Sequence, residues 1–128
     1  MIRYELKHAV GARRKIDFDK EDFNYGFSTP QRGNFIIPKS GWYNIVVILA
    51  TSTTGGFNAS LRKNGSIIFK LTKMTSGPIL QFNEKWDIGT ADTIVYCDKG
   101  NTISAHTENA GTMTGDPLAN NIYIRFLF

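Results

Sequence analysis

A chain of 128 residues with 41% hydrophobic and 20% charged residues is one domain that buries about two-thirds of its unfolded surface, which excludes a disordered polyelectrolyte. Its single cysteine, Cys97, excludes an internal disulfide, and without an apolar run of about 18 residues no membrane insertion is expected. The net charge of +4 suits an anionic partner, but Lys and Arg are spread along the chain, with Arg13, Arg14 and Lys15 as the longest run, so no nucleic-acid partner is expected.

The 9 Phe and 5 Tyr, gathered with β-branched residues into short runs between Gly, Asn, Ser and Thr, predict an all-β domain over 1–128 with no helix. Residues 2–8, IRYELKH, alternate Ile2, Tyr4 and Leu6 against Arg3, Glu5 and Lys7, the period of a half-buried strand. A basic loop, 11–15, follows. In the next stretch Asp17, Asp19, Glu21 and Asp22 supply carboxylates to a Ca²⁺ ion only without the ordered oxygen spacing of a dedicated loop, so no cofactor is expected.

Thr29-Pro30 and Arg32-Gly33 predict a turn before a short strand of Phe35, Ile36 and Ile37, closed by Pro38. The strand 42–50 comes next and is the longest apolar one. Tyr43, Ile45, Val47 and Leu49 lie on one of its faces, and Trp42, Asn44, Val46, Ile48 and Ala50 on the other. One face of an antiparallel sandwich strand normally meets water, so a strand apolar on both faces predicts a second covering layer, most economically another copy of the chain.

Asn64-Gly65 predicts a type I′ hairpin. A strand is expected within 79–88, a turn at 89–92, and two strands in DTIVYCDKGNTISAHTE joined tightly at Lys99-Gly100-Asn101, with Cys97 a buried structural thiol. Residues 109–121 read as the longest loop and a candidate recognition element. The last strand, 122–128, carries Ile122, Ile124, Phe126 and Phe128 on one face and Tyr123, Arg125 and Leu127 on the other.

Eight to ten short strands at these spacings predict a two-sheet antiparallel jelly-roll sandwich. KIDFDKEDFNYGFSTPQRGNFIIPKSGWYNI, SLRKNGS, and TIVYCDKGNTISAHT followed by IYIRFLF together resemble the C1q and tumour-necrosis-factor-like domain family, in order and spacing. Asn101 and Arg125 depart from its usual Asp and Gly, and with no collagen-like stalk among these residues a complement-type protein in full is not expected. The resemblance implies a compact homotrimer. Tyr43, Ile45, Val47, Leu49, Val95, Cys97, Ile124, Phe126 and Phe128 are then expected to fill the sandwich. Asn44, Val46, Ile48, Asp92, Ile94, Tyr96, Tyr123, Arg125 and Leu127 are expected at the trimer interface, with Arg125 paired to Asp92 of a neighbouring copy or lining a hydrated channel.

His8 and His106 are the only histidines, and no nucleophile, base and acid arrangement is visible, so the chain is not expected to be an enzyme. The leading expectation is a trimeric adhesion or receptor-binding head of a phage or bacterial surface fibre, binding a cell-surface glycan or protein. The alternatives are a trimerisation cap or virion decoration protein without a ligand, and a secreted ligand of the tumour-necrosis-factor or C1q type. Candidate ligand contacts are Thr53, Thr54, Thr75, Ser76, Asn109, Thr112, Thr114 and Asp116. MIRYELKHAV lacks the layout of a signal peptide, and the expected location is a virion or a cell surface.

Overall fold

The computed structural model describes residues 1–5, 15–52, 59–74, 86–107, 112–113 and 120–128. Their regular structure is all strand: β1 (Ile2–Glu5), β2 (Lys20–Asn24), β3 (Phe35–Ile36), β4 (Gly41–Ser52), β5 (Ala59–Lys63), β6 (Ser66–Lys70), β7 (Thr72–Met74), β8 (Trp86–Cys97), β9 (Thr102–Thr107), β10 (Thr112–Met113) and β11 (Asn121–Phe126). The larger sheet has the order β2-β1-β11-β4-β8-β7, with β10 also paired to β4, and the smaller sheet has the order β3-β9-β5-β6. All pairings are antiparallel, and the two sheets close into a jelly-roll sandwich.

Alternation builds the core. Along β4, Tyr43, Ile45, Val47 and Leu49 are fully buried, and Ile2 and Tyr4 of β1, Ile122 and Ile124 of β11, Leu61 of β5 and Ile103 and Ala105 of β9 join them in one cluster. Each buried Ile, Leu or Val contributes about 1.5–3 kcal/mol over its exposed state. Tyr4 and Phe35 bridge the sheets edge to face, with ring centroids 5.5 Å apart. Asn64 at φ 51° and Gly65 at φ 81° form the expected hairpin between β5 and β6.

Several expectations are corrected. Residues 89–92 do not turn: β8 pairs with β4 without interruption from Trp86 opposite Ser52 to Cys97 opposite Gly41. The long partner ladder overrides the turn signal of a lone Gly and Asp, and Gly89 and Ala91 are buried against it. The two strands flanking Gly100 do not pair with each other, because β8 lies in the larger sheet and β9 in the smaller one. Within the expected loop 109–121, Thr112 and Met113 form β10 against Thr51 and Ser52, and Asn121 opens β11. Phe128 does not fill the sandwich: it is 74% exposed, beyond the end of β11, with its ring 6.5 Å from that of Trp42. The other expected core residues hold their places, Val95 and Phe126 as partly buried neighbours of the cluster. The expected strand at 79–85 and the basic loop at 11–14 lie outside the described residues.

Strand β2 has no forerunner in the sequence pattern, since KEDFN shows neither alternation nor an apolar run. It forms as an edge strand on β1, where its charges meet water and counter-charges.

Candidate functional site

The larger sheet has one dry face and one face that is open at its centre and buried at Glu5 and Asn121. Register builds the open face row by row. Across β1, β11, β4 and β8 one row reads Glu5, Asn121, Ile48 and Thr90, and the next reads Arg3, Tyr123, Val46 and Asp92. The row after it reads Arg125, Asn44 and Ile94, and Trp42 and Tyr96 stand opposite each other one row further. All nine residues expected at a trimer interface therefore belong to this face of the sheet or, as Leu127, continue β11 through its backbone N–H bond to the Trp42 carbonyl.

The centre of this face is apolar and uncovered within one chain. Ile94 is 61% exposed, Tyr96 45% and Trp42 42%. Trp42 and Tyr96 pack edge to face at 5.7 Å, while Val46, Ile48, Tyr123 and Leu127 are half-buried. Three polar residues, Asn44, Asp92 and Arg125, interrupt it. Asn44 Nδ2 donates to Asp92 Oδ1 at 2.8 Å and to the Thr93 carbonyl at 3.2 Å, so the amide and the carboxylate are tied together within the sheet. Arg125 stands beside Asn44 on the neighbouring strand, exposed.

An ion cluster that the sequence pattern does not announce closes the β1 edge of the same face. Arg3 Nη1 meets Glu5 Oε1 at 2.7 Å and Asp22 Oδ2 at 2.6 Å, and Lys20 Nζ meets Glu5 Oε2 at 3.0 Å. The Glu5 carboxylate is buried, and the bond from Lys20, aided by Arg3, holds it below the usual range against the opposing effect of burial. The only sequence signal was Arg3 and Glu5 two apart on one strand face. Glu21, grouped with the possible calcium ligands, instead accepts the Tyr4 hydroxyl at 3.1 Å, and burial together with that bond pushes the phenol up to about 12.

Of the candidate ligand contacts, Thr53, Thr54, Thr75, Ser76, Asn109, Thr114 and Asp116 lie outside the described residues. The strands from which they depart converge, however. Ser52 at the end of β4 stands opposite both Trp86 and Thr112, and Met74 at the end of β7 stands opposite Ile88. Ser52, Met74, Trp86 and Thr112 thus stand together at one end of the larger sheet.

The opposite end holds a cavity of about 340 Å³, lined by Tyr25, Phe27, Pro38, Tyr43 and Phe126, over whose ring the Lys39 ammonium sits 3.8 Å from the centroid. No sequence pattern pointed to it. His106 Nε2 and Ser104 Oγ approach to 3.1 Å, but Ser104 is 3% exposed, so a substrate has no access to that hydroxyl. Cys97 is fully buried and burial pushes its thiol up, the state of an unreactive structural cysteine.

No protein-family model and no curated protein sequence matches the chain. Solved structures match it in fold. The Eiger TNF of S. frugiperda is 11% identical with a TM-score of 0.78, covering 99% of this chain and 91% of that one. Murine APRIL at pH 5.0 is 10% identical with a TM-score of 0.78, covering 98% and 97%. The globular domain of the zebrafish complement 1qA protein is 10% identical with a TM-score of 0.72, covering 99% and 96%. The fold is that of the C1q and tumour-necrosis-factor-like jelly roll.

Proposed function

We propose that this chain is a non-catalytic binding module that works as a homotrimer and engages a cell-surface receptor. The observation that carries this reading is the open face of β4, β8 and β11, where Trp42, Ile94 and Tyr96 are exposed behind a fully dry core face. A contiguous apolar face of this kind is a protein interface. Closed symmetry of identical copies covers it without exposing another, and the resemblance to the C1q and tumour-necrosis-factor-like family favours three. In the trimer, Arg125 meets Asp92 of a neighbouring copy, which also holds the Asn44 amide.

Assembly multiplies weak contacts made at the Ser52 end of the sheet into useful avidity. The setting that suits the chain is an attachment head on a phage or bacterial surface fibre. A soluble receptor ligand is the second reading, and the likeness in fold to Eiger TNF and murine APRIL supports it. Binding of the labelled protein to bacterial and to animal cells tests both. The expected result is saturable binding to one of them that Ile94→Asp, by preventing assembly, lowers at least tenfold. Silence on both cell types overturns the receptor reading and leaves a structural cap.

A further inference from the structure

The cavity of about 340 Å³ at the end of the sandwich away from Ser52 is at the lower end of the range of small-molecule sites. Tyr25, Phe27, Pro38, Tyr43 and Phe126 line it, so its wall is mainly aromatic. Three of these residues interlock through their rings: Tyr43 meets Phe126 edge to face at 5.4 Å and Phe27 at 6.4 Å. The wall is held from behind. Tyr43 is fully buried and its hydroxyl donates to the Lys39 carbonyl at 2.7 Å, while the Asn24 side chain accepts the Phe27 N–H at 3.2 Å. Phe126 lies so close to the Gly41 backbone that a Cβ there would stand 2.5 Å from its ring.

One side-chain charge stands over this apolar wall. Lys39 is exposed, with its ammonium 3.8 Å from the centroid of the Phe126 ring. It forms no ion pair among the described residues, and no Asp or Glu lines the cavity. An ammonium carries three donors, and a ring face engages only one side of it, so donors remain for an anionic oxygen. Tyr43 and Phe126 pair across β4 and β11 on the dry side, next to Asn44 and Arg125 on the open side, so the cavity lies apart from the face assigned to other copies.

We propose that this cavity binds a small amphipathic carboxylate, an acid whose flat apolar body lies against Phe27, Tyr43 and Phe126 and whose carboxylate meets Lys39 Nζ. The site goes beyond the receptor reading and does not depend on assembly. A sugar acid fits less well, because its hydroxyls need partners that an aromatic wall does not supply. Inorganic phosphate would meet Lys39 but gain nothing from the rings.

Titration of the full chain with 3-phenylpropionate, followed by NMR, tests the proposal, with 3-phenylpropanamide as the neutral counterpart and glucuronate as a sugar acid. The expected result is saturable binding of the aromatic acid with Kd on the order of 1 mM or tighter, about tenfold tighter than either comparison compound. Nuclear Overhauser contacts should run from its phenyl protons to the rings of Phe27 and Phe126. Lys39→Met removes the charge and keeps an unbranched side chain: it is expected to weaken the acid about tenfold and leave the amide within about twofold. Lys70→Met, which removes an exposed charge on β6, should change neither. Equal loss in both variants, equal binding of acid and amide, tighter binding of glucuronate, or no saturable binding of the acid by about 10 mM overturns the site. Light scattering on the same samples separates it from the assembly. A monomer that binds the acid through Lys39 upholds the cavity and contradicts the trimer, and a trimer that ignores the acid does the reverse.

Discussion

The Asn44 amide donates to the Asp92 carboxylate at 2.8 Å across β4 and β8, in the middle of a face otherwise built from Trp42, Val46, Ile48, Ile94 and Tyr96. This bond gives a polar residue a reason to occupy that position: Asn44, beside Arg125 on the neighbouring strand, holds the carboxylate of β8 in a fixed place on the same face. Asn44→Leu keeps the size but removes the donor, leaving Asp92 without it when the face is covered. The expected cost to the assembled protein is about 1–3 kcal/mol, read as an earlier dissociation midpoint in urea, with little change in the isolated fold. An unchanged midpoint would contradict a covered Asp92.

Ile94 is more than half exposed in one chain, on the face of β8 that Asn44 of β4 also faces. Ile94→Asp is therefore expected to leave the sandwich folded, with an unchanged circular dichroism spectrum, while lowering the apparent mass in solution. Ile45→Ala, on the dry face of the same sheet, acts differently: it creates a cavity and lowers stability by about 2–5 kcal/mol.

Two glycines in turns separate backbone strain from steric conflict. Gly65 at φ 81° has open space where a Cβ would stand, so Gly65→Ala costs only the left-handed conformation, about 1 kcal/mol. Gly33 at φ 78° would drive its Cβ into the Ile16 carbonyl oxygen, a backbone atom that cannot swing aside. Gly33→Ala is expected to cost more than about 3 kcal/mol, measured by thermal denaturation side by side with Gly65→Ala.

Glu5 makes stability depend on pH in a stated direction. Its folded pKa is depressed, chiefly by Lys20, so its contribution is complete above the unfolded value near 4.5 and is lost as pH falls through the lower folded value. Denaturation midpoints of the unmodified chain are expected to fall from about pH 4.5 downward. Glu5→Gln should be less stable at pH 7 by about 1–3 kcal/mol and should flatten the acid limb.

Strand faces were legible wherever alternation was strict and one side was dry. Tyr43, Ile45, Val47 and Leu49 needed only period two, and Asn64-Gly65 only the tolerance of positive φ. What escaped depends on pairing over distance. Gly89 and Asp92 look like a turn locally, yet twelve consecutive residues of β4 hold them extended. Charges in β2 look like a loop until Arg3 and Glu5 on β1 supply partners to Asp22 and Lys20. Phe128 follows the alternation of β11, but it lies past that strand's last residue, Phe126, and is 74% exposed. The approach of Lys39 to Phe126 was equally hidden, because residues so far apart in the chain become neighbours only through the pairing of β4 with β11.

In solution the open face of β4, β8 and β11 is expected to be covered by two further copies of the chain. Multi-angle light scattering on the purified protein tests it most directly. The expected mass is three times the 14.3 kDa of one chain, falling toward one chain for Ile94→Asp. A mass of 14.3 kDa for the unmodified protein would contradict it.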